Sequence, residues 1–322
     1  VLQIFWWQKM AEGPPNQPYV LVVGAAGIDS KGKAKAPLTL GSSTPGTIRV
    51  SVGGTARNIA ENLARLGVEA VLLSAIGAGG SGQRVSANAA EAGINTDYVI
   101  ISADYHTAAY IALLDEKGNL VMSVDDMEIL LLMTPQVINR RRNLIKNAAM
   151  VVFDANLPEA TIASLVRVAH RYGVRLCADP TSNILALRLK PHLSNLFMII
   201  PNVFEAEILS GKSIKDENEA VTAARALVNA GVKVVIITLA EAGVVYASAR
   251  ASGHIPAIAT EIIDPSGGGD ALTATVVFGL LNNMLLDESV RLGASAAALT
   301  LACSDTVCPD LSLDLLYDHL LI

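Results

Sequence analysis

The chain has 322 residues, of which 52% are hydrophobic, 17% charged and 4% aromatic, with a formal net charge of −6. That length suits one large α/β domain or two smaller ones, with a core of Ala, Val, Leu and Ile of the kind that packs helices on a parallel sheet. The acidic balance gives no basic field for nucleic acid and no apolar run is long enough to span a bilayer. The three cysteines, Cys177, Cys303 and Cys308, match no zinc spacing and suit a reducing, cytoplasmic setting.

Residues 1–18 read as an N-terminal extension. Val1 to Trp7 is apolar but short, without the preceding positive charge or the cleavage site of a signal peptide. The body, 19–322, opens with a strand at Tyr19 to Val23 that ends in Gly24-Ala25-Ala26-Gly27-Ile28-Asp29. A strand ending in small residues and an Asp commonly borders a ligand crevice. The spacing there is not the G-x-G-x-x-G of a dinucleotide fold. Residues 30–46, rich in Lys, Gly, Ser, Thr and Pro, read as loop, and Thr47 to Val52 as a short strand. Gly53-Gly54 leads into a helix over 55–66. Ala56, Ile59, Ala60 and Leu63 share one of its faces and Arg57, Glu61 and Arg65 another. A strand over 71–76 and a helix over 83–92 follow. Tyr98 to Ile101, Ala108 to Leu114 and Leu120 to Val124 then read as strands with no helix between them. The turn Asp115-Glu116-Lys117-Gly118 joins the last two, so this part is expected to be a small antiparallel insertion, a lid. From 134 onward helices and strands alternate. Helices are expected over 135–147, 158–171, 203–210, 216–230, 269–283 and 287–302, and strands over 150–153, 174–178, 197–200, 234–239 and 244–247. Such alternation implies a mostly parallel sheet with helices on both faces.

The most telling stretch is Asp264-Pro265-Ser266-Gly267-Gly268-Gly269-Asp270. Three glycines before a helix leave free N–H groups converging at the positive end of its dipole, which makes an anion site. Asp270 stands beside it as a candidate base. An anion cradle next to a carboxylate suits phosphoryl transfer to an alcohol, while a glycine-rich surface turn with a capping Asp is the structural alternative. Asp29, Gly53-Gly54 with Asn58, and Asn202 with Glu205 also lie where strands end or helices begin, so all can meet at one sheet edge.

In this order the motifs resemble those of the ribokinase-like, PfkB-type carbohydrate and nucleoside kinases, over residues 19–322. Gly53-Gly54-Thr55-Ala56-Arg57-Asn58 is similar to the family's glycine-glycine signature, Asp264 to Asp270 to its D-T-x-G-A-G-D, and Asn202-Val203-Phe204-Glu205 to its N-x-x-E. The resemblance implies a three-layer α/β fold with a mostly parallel central sheet and a small antiparallel β lid, with lid strands from about 44–52 and 97–124. It also implies an alcohol phosphotransferase. Asp270 would be the base, and Gly267, Gly268 and Gly269 would hold the transferring phosphoryl group. Asp29, Gly53, Gly54 and Asn58 would bind a sugar, and Asn202, Thr238, Ala240, Gly243 and Asp264 would lie at the nucleotide. Glu205 with Asn202 would organise Mg²⁺ through water. Each residue keeps a structural alternative: Asp29 as a turn former, Asn58 as an exposed helix residue, Glu205 as a first-turn acid. The expected cofactors are ATP and Mg²⁺, with a monovalent cation such as K⁺ as a candidate third. The chain departs from the family pattern at three positions. Pro265 replaces a Thr, removing an N–H and a hydroxyl, Gly268 replaces an Ala, and Ala240 replaces the glycine of T-x-G-x-x-G, putting a methyl near the nucleotide.

Within the family the chain is most similar to kinases of pseudouridine, through Ser43-Thr44-Pro45-Gly46-Thr47-Ile48, Asp125-Asp126-Met127 and Pro309-Asp310-Leu311-Ser312. A lid-side pocket with Thr107, Tyr110 and Asp126 is expected to read the base. A simple sugar kinase (ribose, fructose or 2-keto-3-deoxygluconate) and a non-catalytic sugar or nucleotide sensor are the alternatives. The expected partner is a small nucleoside or sugar, with neither nucleic acid nor membrane. Exposed lid edges suggest a homodimer through the lid.

Overall fold

The computed structural model describes residues 18–320. The extension expected over 1–18 lies outside the described residues except for Pro18. Eight strands form the central sheet. In chain order they are β1 (Val20–Val23), β4 (Ala70–Leu73), β9 (Met150–Asp154), β10 (Leu176–Asp179), β11 (Met198–Ile199), β12 (Val234–Thr238), β13 (Val244–Ser248) and β14 (Ser252–Ile255). Across the sheet the order is β14-β13-β12-β11-β10-β9-β1-β4. Every pair from β12 to β4 is parallel, and β13 and β14 continue the edge as antiparallel strands. β1 is buried throughout, as a central parallel strand covered on both faces must be.

Alternate residues serve the two faces. Leu21, Val23, Val151 and Phe153 pack with the helices Pro135–Arg140, Glu159–Tyr172, Val203–Ser210 and Glu217–Asn229. Val20, Val22, Met150 and Val152 pack with Thr55–Arg65, Gly80–Glu91, Gly268–Leu281 and Leu286–Leu301. Side chains start several of these helices. Asn202 and Asp216 accept from the N–H groups of Glu205 and Glu219 at 3.0 and 2.9 Å, and left-handed Gly173 and Gly211 end two of them.

A second sheet has four strands, β2 (Gly27–Ala34), β3 (Gly46–Gly53), β7 (Ala108–Leu114) and β8 (Leu120–Asp126), in the order β3-β2-β7-β8. It departs from the sequence reading in three ways. Residues 27–34, five of them assigned to a loop, form one of its two inner strands. Their polar sequence carries no hydrophobic alternation, and pairing on both sides fixes them. β2 and β7 run parallel, so the sheet is mixed rather than antiparallel. The segment expected as a first lid strand lies elsewhere: β6 (Ile100–Ser102) pairs in parallel with β5 (Ala75–Gly77). The turn at 115–118 is a hairpin, with the Asp115 N–H donating to the Asn119 carbonyl at 2.9 Å.

Smaller differences are local. The strand expected over 71–76 breaks at Ser74, whose hydroxyl donates to the Gly24 carbonyl at 2.6 Å. The helix expected over 135–147 breaks at Arg141, which lies 5.0 Å over the ring of Tyr98. Among the described residues no helix is long and apolar enough to cross a membrane.

Candidate active site

All parallel strands end at the same edge of the central sheet, so the residues that follow them meet there. Asp154 and Asp179 close β9 and β10, and Asn202 follows β11. The Thr238 N–H at the end of β12 donates to the Pro201 carbonyl at 3.0 Å, which sets Thr238 beside Asn202; Ala240 and Gly243 follow in the turn after it, where the Gly243 N–H returns to the Ala240 carbonyl at 3.0 Å.

The helix Thr55–Arg65 starts from Gly54 in the left-handed region, φ 93°. A Cβ there would stand 2.6 Å from the Ala25 carbonyl oxygen, so only glycine lets the turn lie against the end of β1. Asn58, one turn on, donates its amide to Asp270 Oδ2 at 2.6 Å. Two groups hold the amide in that orientation. The Arg57 guanidinium donates to Asn58 Oδ1, and the Thr306 hydroxyl lies 3.1 Å from the same oxygen. Arg57 is only 2% exposed; it also bonds Glu61, Asn88 and the Val52 carbonyl. The charged face of this helix is therefore an internal network, not a solvated surface.

Gly267, at φ 83°, starts the helix Gly268–Leu281, which has no side-chain cap. A Cβ on Gly267 would collide with the Thr306 carbonyl. The Ala271 N–H returns to the Gly267 carbonyl at 2.9 Å, so Gly268, Gly269 and Asp270 occupy the first turn, where N–H groups have no partner within a helix. Gly269 is open on the side a Cβ would take. The first carboxylate of the loop, Asp264, accepts the Ser266 N–H at 2.9 Å. Lys31 Nζ lies 2.7 Å from both of its oxygens.

Burial raises the pKa of several carboxyls here. Asp270 is pushed up to about 7, chiefly by removal from water and against the lowering influence of Asn58 and Arg57. Burial also raises Asp179, to which the charges of Asp270, Glu205 and Asp154 add. Asp29 and Glu205 rise for the same first reason.

Asp29, Gly54, Asn58, Tyr110, Asn156 and Thr181 line a cavity of about 150 Å³. A space of that size holds about one ring. It shares Met127 and Asn156 with a neighbouring groove of about 840 Å³, bordered by Asp125, Asp126, Glu159 and Arg188. Gly53 lies under the Asp29 carboxylate, where a side chain would displace it. Two expected pocket residues stand apart from the ring-sized cavity. The buried Thr107 hydroxyl accepts the Gly77 N–H at 3.0 Å, and Asp126 faces the groove and accepts the Glu128 N–H at 3.1 Å. The register across the second sheet puts Ser51, Asp29, Tyr110 and Asp125 in one row, so Asp125 rather than Asp126 shares the face of Asp29. Glu205 Oε2 accepts the Asn202 N–H at 2.9 Å in a reciprocal capping box, so its first-turn role and any role toward a metal coexist on one carboxylate.

Several site residues were missed in the sequence. Arg57 adjoins Asn58 in the glycine-glycine motif, and Asp154 and Asp179 each end an apolar strand, the signal that marks Asp29. Thr181 carries no local signal. It is a threonine at φ 65°, a strained position for a β-branched residue. Ala240 is also left-handed, at φ 51°, so the residue replacing the family's glycine keeps a glycine-like backbone.

The description pfkB family carbohydrate kinase matches residues 17–311. A pseudouridine kinase of Escherichia coli strain K12 is 31% identical over 299 residues, 92% of this chain and 95% of that one. A structure of a putative sugar kinase from Clostridium perfringens superposes with a TM-score of 0.81 at 31% identity, covering 95% of this chain and 96% of the other. Arabidopsis thaliana ribokinase, complexed with ribose and ATP, superposes with a TM-score of 0.81 at 19% identity, over 95% and 99% of the two chains.

Proposed function

The chain belongs to the pfkB family of carbohydrate kinases, and from that premise we propose that it transfers phosphate from ATP to the 5′-hydroxyl of a nucleoside, pseudouridine foremost. At the coarser level it is a sugar or nucleoside kinase, a phosphotransferase with an alcohol acceptor. The observation that carries the finer reading is the 2.6 Å contact between Asn58 and Asp270 beside a ring-sized cavity that shares Met127 and Asn156 with a larger groove. A pentose would fill the first space, between Asp29 and Asn58, and a base would extend past Met127 into the second. The E. coli relative supports pseudouridine as that nucleoside.

The geometry supports these roles. Asp29 accepts hydroxyl hydrogen bonds from the sugar, and Asn58 spans sugar and base catalyst. The ionised Asp270 takes the proton of the attacking hydroxyl as it meets the γ-phosphorus in line. The N–H groups of Gly268 and Gly269 stabilise charge on the transferring phosphoryl oxygens. Among the described residues no cluster of three acids makes a metal cage. A Mg²⁺ bound with the nucleotide needs only one or two carboxylates and waters, and Glu205 with Asn202 fits that donor set. The ion would neutralise phosphate charge. The second sheet serves as lid. Its outer face gathers Ile48, Val50, Ile111, Met122 and Val124, all exposed and in register, which supports a homodimer through this sheet.

The test is ADP release with pseudouridine, uridine, guanosine, ribose and fructose as acceptors. Pseudouridine is expected to have the highest kcat/KM. Equal or better turnover of free ribose would replace the nucleoside reading by a simple sugar kinase. No turnover of any acceptor would leave a sensor on a kinase scaffold.

A further inference from the structure

Asp264 opens the loop that forms the anion site, and it is only 6% exposed. Burying a charged carboxylate is costly unless it is paired and hydrogen-bonded. Lys31, itself 8% exposed, provides one, with its ammonium 2.7 Å from both Asp264 oxygens. The contact joins residues 233 positions apart and links the inner strand of the second sheet to the loop. Asp264 in turn accepts the Ser266 N–H, and Ser266 adjoins the left-handed Gly267, so a chain of contacts runs from the ammonium to the start of the anion cradle. Arg49 on the adjoining strand donates to the Ser304 carbonyl at 3.2 Å, a second tie between the sheet and this end of the molecule. Burial raises the pKa of Asp29 in the neighbouring cavity, and the same ammonium opposes that rise.

A free monovalent cation was a candidate cofactor, and the residues at this loop do not fit one. Asp264, the carboxylate at the foot of the anion cradle, already has both oxygens on an ammonium. We propose that Lys31 is a built-in monovalent cation. It neutralises Asp264, fixes the anion loop and removes any need for K⁺. Lys31 is thus a positioning residue, acting on the transferring phosphoryl group through Asp264 and the loop. The inference uses the kinase reading only for its activity readout.

The experiment compares wild type, Lys31→Met and Lys31→Arg in KCl, NH₄Cl and choline chloride at equal ionic strength, by melting temperature and by turnover. Wild type is expected to melt and turn over alike in all three salts. Lys31→Met leaves a buried carboxylate beside an ammonium-sized space. It should melt about 5–10 °C lower in choline and lose at least about tenfold in kcat. K⁺ or NH₄⁺ should restore part of both in a saturable way, and choline should not. Lys31→Arg should stay indifferent to the salt. A wild type that itself requires K⁺ would overturn the proposal, as would a Lys31→Met enzyme equal to wild type or one that no small cation restores. Should Lys31→Met fail to fold, Lys31→Met/Asp264→Asn removes both charges and should regain a cooperative melt in choline. Persistent failure would also sink the idea. Absence of wild-type turnover with every acceptor would count against the kinase reading, while the melting data would still decide the role of Lys31.

Discussion

The turns Gly53-Gly54 and Gly267-Gly268-Gly269 both start a helix from a left-handed glycine with no side-chain cap, yet their amides meet different fates. At the first, the protein supplies its own acceptors. The Ala56 N–H bonds Asp154, a carboxyl whose pKa burial raises and which also accepts the Ala25 N–H at 2.7 Å and the Asn156 N–H at 3.0 Å. The Arg57 N–H is taken by the Ala25 carbonyl. At the second turn no carboxylate among the described residues takes the first-turn N–H groups, and Gly269 has nothing within 4 Å on the side a Cβ would occupy. Glycine content alone therefore does not tell a structural helix start from a binding one. What separates them is whether an internal acceptor already uses the first-turn N–H groups.

Asp270→Asn should give the largest effect on that contrast. With the base gone, kcat should fall by about 10²–10⁴-fold while the fold survives. The raised pKa fixes the accompanying pH behaviour. The folded carboxyl titrates near 7 and its ordinary value is 3.8. Between those values the native state holds a proton that the unfolded chain has released. Stability from this group thus falls as pH rises from about 4 to about 7 and stays reduced above. Asp270→Asn should accordingly raise the melting temperature at pH 8 and not at pH 4. The wild-type rate should climb through pH 7 as the base ionises; a flat profile from pH 5 to 8 would exclude Asp270 as the base.

Gly267→Ala comes next. A left-handed alanine and a methyl against the Thr306 carbonyl should together cost about 2–5 kcal/mol in a urea melt. Asp154→Ala should cost about 2 kcal/mol by stripping buried N–H groups of their acceptor. Any loss of activity there should follow the loss of folded protein, unlike that at Asp270. Gly269→Ala probes the open turn. Nothing lies within 4 Å of the added methyl, so stability should rise by about 0.4–1 kcal/mol. A fall in kcat at unchanged or higher stability would then report ligand oxygens crowding that amide. Unchanged kcat would show the approach is less close. An effect of similar size is expected at Ala240. Relieving its φ of 51° by Ala240→Gly should add about 0.5–1 kcal/mol, and a drop in the KM for ATP would show that the methyl also crowds the nucleotide.

Much of the architecture was legible because buried parallel strands and amphipathic helices write their periods into the chain. The helix Val203–Ser210 falls where its Asn202 cap and Gly211 stop put it. Strand Gly27–Ala34 was not legible, since two lysines and two glycines in eight residues look like loop until neighbours pair with them. The site divided in the same way. Asp29, Asn58 and Asp270 stand in short motifs with distinctive glycines, and the structure brings them together. Lys31, Arg57 and Thr306 act through partners distant in sequence, and nothing local to them names those partners. Thr107 shows the converse: a polar residue near the right motif whose buried hydroxyl accepts the Gly77 N–H apart from the ring-sized cavity.

The sequence by itself determined the alternation of strands and helices, the glycine turns that start two helices, and the order of polar residues after the strands. These follow from backbone sterics and from local burial patterns. Only the tertiary structure decided which first-turn amides stay open, which carboxyl is lifted toward neutral pH, and which lysine neutralises Asp264. Each of those depends on distance and exclusion of water between segments far apart along the chain, and a linear pattern carries neither.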